Sequence, residues 1–432
     1  RNYSGAAIYN LGEIIAPKER KITREYPVYS NSETKILTDV PITLDRFTNI
    51  LEKVLGQGRD AALAEVKNSN IRGRGGAGFP MGFKFEACKK ERDPEKYIVC
   101  NADEGDPGAY SDRYLLEEQP YSLLLGMMIG GYIIRAQRGV LYIRGEYPES
   151  IMIIREAINE LEKNGLHGEN IKGSDFSFRF KIIEGAGAYI CGEETALLSS
   201  IEGQRPEVRV RPPYPVQEGL FNKPTVVNNV ETLAAIPWIV EQGGLAYSRL
   251  GTQKSTGTKL VCLDSFFTKP GLYEVEMGAS FGELVFNQAK GFKENVKAVH
   301  VGGPLGGIVP LDKIEDLTID FESFDQGGFL LGHAGVVSIP ESYPMIKYLE
   351  HLFEFTAAES CGKCFPCSIG SVRGKEMLSN AQDRDMPVDK QLMDDLLETL
   401  EIGSLCALGG GLPLGIKNAM QYFEDELKPY FN

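Results

Sequence analysis

The sequence predicts an α/β unit on a largely parallel sheet, then a small ββαβ unit, then a helical C-terminal bundle. Three observations carry this. Apolar runs and helical stripes alternate from about residue 60 to 240. Residues 257–310 change to short strands around one short helix. Beyond residue 345 every apolar stripe has helical spacing. At 432 residues the chain has room for about two to four domains.

Residues 1–50 are mixed and weakly periodic, with polar stretches at Lys18-Glu19-Arg20-Lys21 and Asn31-Ser32-Glu33-Thr34. They read as an extended arm over the surface or onto a partner. A helix follows near Asp60–Lys67, with Ala62, Leu63 and Val66 on one side. Tyr97–Cys100 and Val140–Ile143 are apolar strands. Leu123–Ile134 is the longest apolar run and ends at Arg135. A membrane span needs about 20 apolar residues, so this run reads as a buried helix. Glu149–Asn164 carries Ile151, Ile154, Ile158 and Leu161 at helical spacing and stops at Gly165. Phe178, Phe180 and Ile182 alternate with polar residues, as in a strand. Lys259–Asp264, Leu272–Met277 and Val296–Val301 are strands. Ser280 and Glu283 form a capping box that opens a helix ending near Gly291. A ββαβ unit of this size resembles a ubiquitin-like (β-grasp) domain. The stripes Ile346/Leu349/Phe353, Leu392/Leu396/Leu400 and Ile416/Met420/Phe423/Leu427 complete the bundle.

Composition excludes several classes. The net charge of −14 is wrong for a phosphate-binding face, so nucleic acid is not the partner. Eight cysteines in so long a chain do not make a secreted disulfide scaffold. The N-terminus RNYSGAAIYN has no signal-peptide pattern, and a reducing, cytoplasmic location is the default. Glycine is the excess: 48 of 432, about 11% against a usual value of roughly 7%.

The strongest chemical signal is Cys361-x2-Cys364-x2-Cys367 with Cys406 downstream. Three thiolates at this spacing wrap one face of a cuboidal cluster, and a distant fourth closes it, which suits [4Fe-4S]. The alternatives are zinc, which more often takes two separated CxxC pairs, or unrelated thiols. Cys88, Cys100, Cys191 and Cys262 stand alone and read as buried free thiols. The second signal is Arg72-Gly73-Arg74-Gly75-Gly76-Ala77-Gly78-Phe79-Pro80, followed by Lys84. Glycines let backbone approach a phosphate or a flat ring, but this GxGxxG follows a helix, so the Rossmann fingerprint context fails. A plain flexible loop is the alternative, although Arg74 and Lys84 suit a phosphate neighbour. Asn101–Gly108 (NADEGDPG) follows a strand and offers three carboxylates to ribose hydroxyls or a metal, or is a solvated turn. Gly185–Ala196 (GAGAYICGEETA) joins a strand to a helix N-terminus, a place for an anion. In Pro224–Thr232 (PTVVNNVET), paired Asn side chains suit an isoalloxazine edge or a phosphate. Gly278-Ala279-Ser280-Phe281-Gly282 matches GxSxG, but the capping box already accounts for Ser280 and Glu283. The histidines His167, His300, His333 and His351 join none of these motifs.

Taken together, GRGGAGFP…K, CNADEGDPG, GAGAYICGEETAL, KPTVVNNVETL and ESCGKCFPC…SLC resemble the NADH-binding flavoprotein subunit of respiratory complex I. The same subunit type serves NAD-linked hydrogenases and formate dehydrogenases. The resemblance runs from about residue 60 to the C-terminus. It implies a Rossmann-like FMN- and NAD(H)-binding domain at 61–250, a β-grasp domain at 251–338 and a four-helix bundle holding [4Fe-4S] at 339–432, after an extension at 1–60. It implies FMN contacts at Gly73, Arg74, Gly75, Lys84, Asn101, Asp103, Glu104, Gly192, Glu193, Asn228 and Asn229. It implies NAD(H) contacts at Phe79, Tyr189, Glu194 and Tyr214, and cluster ligation by Cys361, Cys364, Cys367 and Cys406. The implied chemistry is hydride transfer between nicotinamide and flavin, then single-electron transfer to the cluster, with no proton-shuttling side chain. The implied partners are a small thioredoxin-like [2Fe-2S] subunit and a larger iron–sulfur subunit leading to the catalytic module.

This sequence departs from the respiratory pattern in several places. Lys84 is followed by Phe85-Glu86-Ala87 where respiratory members have Trp-Ser-Phe, so one aromatic wall for adenine is expected to be missing. Gly105-Asp106, Phe365-Pro366 and the glycines after Cys406 resemble the hydrogenase and formate dehydrogenase relatives. The first 50 residues do not match the respiratory type, and no extra ferredoxin-like CxxCxxCxxxC repeat is present. The favoured reading is a subunit of a soluble hydrogenase, formate dehydrogenase or bifurcating complex. The alternative is the same subunit of membrane complex I. A relay subunit that has lost flavin is disfavoured by the intact glycine and Asn-Asn motifs.

Overall fold

Four short apolar runs pair side by side, all parallel, into one sheet of order β4-β3-β2-β5. These strands are β2 (Tyr97–Ala102), β3 (Arg138–Arg144), β4 (Arg179–Gly185) and β5 (Thr225–Asn229). The computed structural model describes residues 27–432 except 31 and 385. Alternation along each strand sorts side chains to the two faces. Ile98, Cys100, Ala102, Leu141 and Ile143 join the main core, while Tyr97, Val99, Val140 and Tyr142 pack with Leu197 and Leu198 on the other face.

The helices of this unit include α1 (Leu44–Gln57), α2 (Arg59–Asn68), α3 (Met81–Lys90), α4 (Ser111–Glu118), α5 (Pro120–Ile134), α6 (Pro148–Lys163), α7 (Glu194–Ile201) and α8 (Val230–Ala234). Helix α5 is the expected apolar run and is buried from Ser122 to Ile134. It can lie so close to α8 because Gly126 has no side chain: a Cβ there would fall 1.9 Å from the Leu233 carbonyl oxygen. No helix among the described residues is long and apolar enough to cross a membrane.

The second sheet has the order β1-β7-β6-β10-β8-β9. It contains β1 (Val28–Ser30), β6 (Thr258–Leu263), β7 (Gly271–Glu276), β8 (Val296–Val301), β9 (Gly307–Pro310) and β10 (Gly335–Pro340). β6 and β7 are antiparallel, β6 and β10 parallel, and β8 pairs antiparallel with both β9 and β10. The C-terminal helices are α9 (Met345–Glu359), α10 (Phe365–Asp383), α11 (Lys390–Gly403) and α12 (Leu412–Tyr422). Their shared core reaches β8, β9 and β10 through Ala298, Ile308 and Ile339.

Several expectations are corrected. Residues 44–57 are not an arm: α1 buries Phe47, Ile50, Leu51 and Val54 in the main core. The Lys18–Lys21 stretch lies outside the described residues. Phe178 precedes β4 rather than belonging to it. The capping box is half made. The Ser280 hydroxyl accepts from the Glu283 amide at 3.2 Å, while Glu283 turns its carboxylate to Asn287, in a helical turn over Glu283–Gln288. In α11 the buried stripe is Met393, Leu397 and Leu400, with Leu392 48% exposed.

Candidate functional site

The carboxyl ends of β2 and β5 gather the motifs, as expected for a parallel sheet. The glycine-rich loop reaches them from the α2–α3 side. A Cβ on Gly75 would lie 2.9 Å from the Asn229 Cβ, so glycine is required for this approach. The Arg74 amide donates to Thr232 Oγ1 at 2.8 Å. Asn101 Nδ2 donates to the Gly192 carbonyl at 2.7 Å, joining the β2 end to the 185–196 segment. Lys84 Nζ donates to Glu194 Oε2 at 3.0 Å and to the Val227 carbonyl at 3.1 Å. Four segments far apart in sequence thus meet at one sheet edge.

Several side chains named from the sequence are spent on holding this place together. Arg74 is only 1% exposed, and its guanidinium donates to the Thr256 carbonyl at 2.5 Å and to Tyr247 Oη at 3.3 Å. Its other guanidinium nitrogen, Nη1, is buried without a protein partner. The Glu104 carboxylate caps α4, accepting from the Asp112 and Arg113 amides at 2.9 and 3.0 Å and from Tyr147 Oη at 2.9 Å. Glu193 caps α7 by accepting from the Thr195 and Ala196 amides, and pairs with Arg211. Asn229 caps α8 through Oδ1 and donates Nδ2 to Asp112 Oδ2 at 2.6 Å.

Two polar atoms at the strand ends are different. Asn228 Nδ2, a donor, and Asp103 Oδ2, an acceptor, are buried without a protein partner. Buried polar atoms are almost always bonded, so orphans of both kinds at one edge fit a bound polar cofactor. Burial raises the Asp103 carboxyl to about 7, against the pull of Arg144. Burial also raises Asp106 to about 6, although Tyr189 Oη donates to it at 2.7 Å. Phe79, in the glycine-rich loop, and Tyr214 are exposed. Phe85 is buried in the core, and the exposed ring beside Phe79 is Phe83, with centroids 5.7 Å apart.

The cysteines occupy helix starts. Cys364 is the N-cap of α10, Cys367 lies in its first turn, and Cys406 caps the short helix Ala407–Gly410. Helix N-termini favour negative charge, which suits thiolates. All four cysteines border one apolar pocket with Ile190, Val208 and Leu408. Four thiolates around one zinc would sit about 3.8 Å apart, from Zn–S bonds of about 2.3 Å. Among the described residues, no three of these thiols bring their sulfurs within 4.8 Å of one another. Cys88, Cys100, Cys191 and Cys262 are buried apart, as expected.

One cluster was not legible in the sequence. Glu104, Asp112 and His333 bring ligand atoms within 4.8 Å of one another, all buried. Their separation along the chain hides them. Because α4 and Tyr147 already fill the Glu104 oxygens, the cluster is a capped helix end and not an open metal site.

A parallel sheet with cofactor motifs at its carboxyl edge, joined to a thiol-lined helical region, defines a flavin- and iron–sulfur-type electron-transfer protein. Known relatives narrow the class. The Nuo51 FMN-binding domain matches residues 66–238, and the NADH-ubiquinone oxidoreductase-F iron-sulfur binding region matches residues 347–430. The F 2 subunit of NADH-quinone oxidoreductase from Rhizobium meliloti (strain 1021) is 43% identical over 380 residues, covering 87% of this chain and 90% of that one. NADP-reducing hydrogenase subunit HndC of Solidesulfovibrio fructosivorans is 42% identical over 383 residues, covering 88% and 78%. A chain of the NAD+-reducing [NiFe]-hydrogenase in its air-oxidized state matches with a TM-score of 0.83 at 32% identity, covering 94% and 68%. The chain belongs to the family of NAD(H)-linked, FMN- and iron–sulfur-dependent electron-input subunits. It is an oxidoreductase that passes hydride between NAD(H) and FMN and relays electrons to iron–sulfur.

Proposed function

We propose that this chain is the NAD(H)-facing subunit of a hydrogenase- or formate-dehydrogenase-type complex in the cytoplasm, with a [4Fe-4S] cluster as its electron exit. One observation carries the reading. Tyr189 spans both halves: its hydroxyl bonds Asp106 of the β2-end motif, its amide donates to Glu359 at 2.9 Å, and its ring packs on Phe355 beside the cysteine pocket. The strand-end site and the thiols therefore share a wall.

FMN, when bound, supplies the exchange between two-electron and one-electron chemistry. The chain's part is placement. Gly73, Gly75 and Gly192 bring backbone to the cofactor, and Lys84 brings positive charge. Asn101, Asp103 and Asn228 offer polar side-chain atoms. Glu104, Glu193 and Asn229 act through backbone and by fixing helix starts, since their side chains already cap helices, while Arg74 keeps its Nη1 unpartnered. Phe79, Tyr189, Glu194 and Tyr214 form the dinucleotide side. Cys361, Cys364, Cys367 and Cys406 hold the cluster, within a four-helix bundle at 339–432. Strands β6 to β10 of the six-stranded sheet belong to a β-grasp unit at 251–338, with β1 added at its edge.

An apolar rim around the cysteines supports a protein partner. Phe365 is 75% exposed and Ile402 is 77% exposed, and Ile369 and Leu405 are exposed as well. This rim suits a larger iron–sulfur subunit, and a thioredoxin-like [2Fe-2S] subunit completes the input module. Anaerobic co-purification tests the reading through flavin and iron quantities, NADH:ferricyanide activity and the identity of the partners. Protein with neither FMN nor diaphorase activity would sink it. A membrane quinone-reducing partner would instead place the chain in complex I, as the 43% identical relative allows.

A further inference from the structure

The loop from Arg72 to Pro80 has a defined shape. Its ends are pinned as an antiparallel bridge between Arg72 and Pro80, with the Gly73 amide donating to the Phe79 carbonyl at 2.8 Å. Between these ends, Gly76 and Gly78 take φ values of +124° and +60°, which pin nothing by themselves. What holds the interior is the side chain at the head of the motif.

Arg72 Nε donates to the Gly78 carbonyl at 2.6 Å, closing the loop on itself. The far side of the same guanidinium leaves the loop. Nη1 donates to Glu322 Oε1 at 2.5 Å and reaches Ser255 Oγ at 3.4 Å. Its plane lies over the Phe321 ring, 4.3 Å from the centroid. Ser255 Oγ donates to the other Glu322 oxygen at 2.6 Å, so the acceptor is itself fixed. Burial alone would raise the Glu322 carboxyl, yet Ser255 and Arg72 hold it below its ordinary range. Gly78 is required here: a Cβ would lie 3.0 Å from Arg72 Nη2 and 3.2 Å from the Phe321 ring.

We propose that Arg72 is a positioning residue for the flavin: it fixes the backbone shape of the glycine-rich loop by clamping Gly78 to Ser255, Phe321 and Glu322 of the second-sheet unit. This rests on the reading that FMN lies on that loop. The two arginines of the motif then share one task. Arg72 reaches Ser255 and Arg74 reaches the Thr256 carbonyl, consecutive residues just ahead of β6. Lysine cannot replace Arg72, because one ammonium lacks the planar fork that serves Gly78, Glu322 and Phe321 at once.

The test uses the full chain with its cluster, stripped of FMN and titrated with FMN by fluorescence quenching. Arg72→Gln is expected to weaken FMN binding about tenfold, the scale of one lost charge-assisted hydrogen bond, and to shift the potential of the bound flavin. Arg72→Lys is expected to recover only part of this. Glu322→Gln is expected to weaken binding less, and Arg72→Gln with Glu322→Gln should be no worse than Arg72→Gln alone. Iron content and the cluster's EPR signal should stay as in the parent. If the parent chain does not bind FMN, the reading of the loop is wrong. If the parent binds and Arg72→Gln matches it in affinity and potential, the clamp proposal is wrong. If Arg72→Gln does not fold, Glu322→Gln and Ser255→Ala decide: parental affinity in both overturns the clamp.

Discussion

Asp103 shows how much a single side chain can report. Burial holds its proton up to about pH 7 in the folded chain, while an unfolded aspartate releases it near about pH 4. The folded state therefore binds more protons between these values, and stability falls as pH rises through that window. Asp106, raised to about 6, adds to the same trend. In flavin-free protein, Asp103→Asn is expected to flatten the decline in Tm between pH 5 and pH 8, read by thermal melts at each pH. A variant with the parental pH slope would count against Asp103. At this scale the sequence was a partial guide. It located the glycines, but not that Gly75 answers to Asn229, more than 150 positions away. It placed Arg74 and Glu104 in the cofactor motifs, but not the Thr256 carbonyl and the α4 start that their side chains also serve. A charge in a cofactor motif reads alike whether it meets a ligand, a carbonyl or a helix end.

Helices α10 and α11 show what pattern alone decides. In α11 the apolar pairs Leu392–Met393 and Leu396–Leu397 fit two stripes equally well, and packing against its neighbours selects Met393, Leu397 and Leu400. Leu397→Ala is accordingly expected to cost about 2–5 kcal/mol, and Leu392→Ala at most about 0.5 kcal/mol, by chemical denaturation. The start of α10 is tight. A Cβ on Gly409 would lie 2.7 Å from the Cys367 Cβ and 2.4 Å from Ser404 Oγ. Gly409→Ala should displace Cys367, lowering iron per chain while FMN content holds. Iron unchanged in that variant would show that the pocket yields. The CxxCxxC spacing made the thiols legible, but the need for glycine opposite them arises only when the Ala407–Gly410 turn folds back.

Across the whole molecule, buried polar groups fasten the units to each other. Lys259 of β6 pairs with Glu231 of α8, and Glu231 also accepts from the Leu260 amide at 3.0 Å. Lys259→Met leaves that carboxylate buried and unpaired, at an expected cost of about 3–5 kcal/mol in urea unfolding. A midpoint equal to the parent's would count against the pair as a fastener. Glu274 of β7 does similar work for the early chain, accepting from the amides of Ile36, Leu37 and Thr38. Strand–helix alternation made the parallel sheet legible. The early segment was not: β1 is three residues long, and the polar stretches before α1 diluted its periodicity.

The pairing of β1 sets an order of events during biosynthesis. Val28 pairs with Leu272, and β1 is an edge strand whose one neighbour is β7. Translation runs at about 5–20 residues per second, so β1 waits roughly 12–50 s on the ribosome for its partner. The parallel sheet of the flavin unit, complete by Asn229, is made in that interval. That sheet can take shape with β1 still unpaired, and β1 closes only once its partner is made, ahead of β8, β9 and β10.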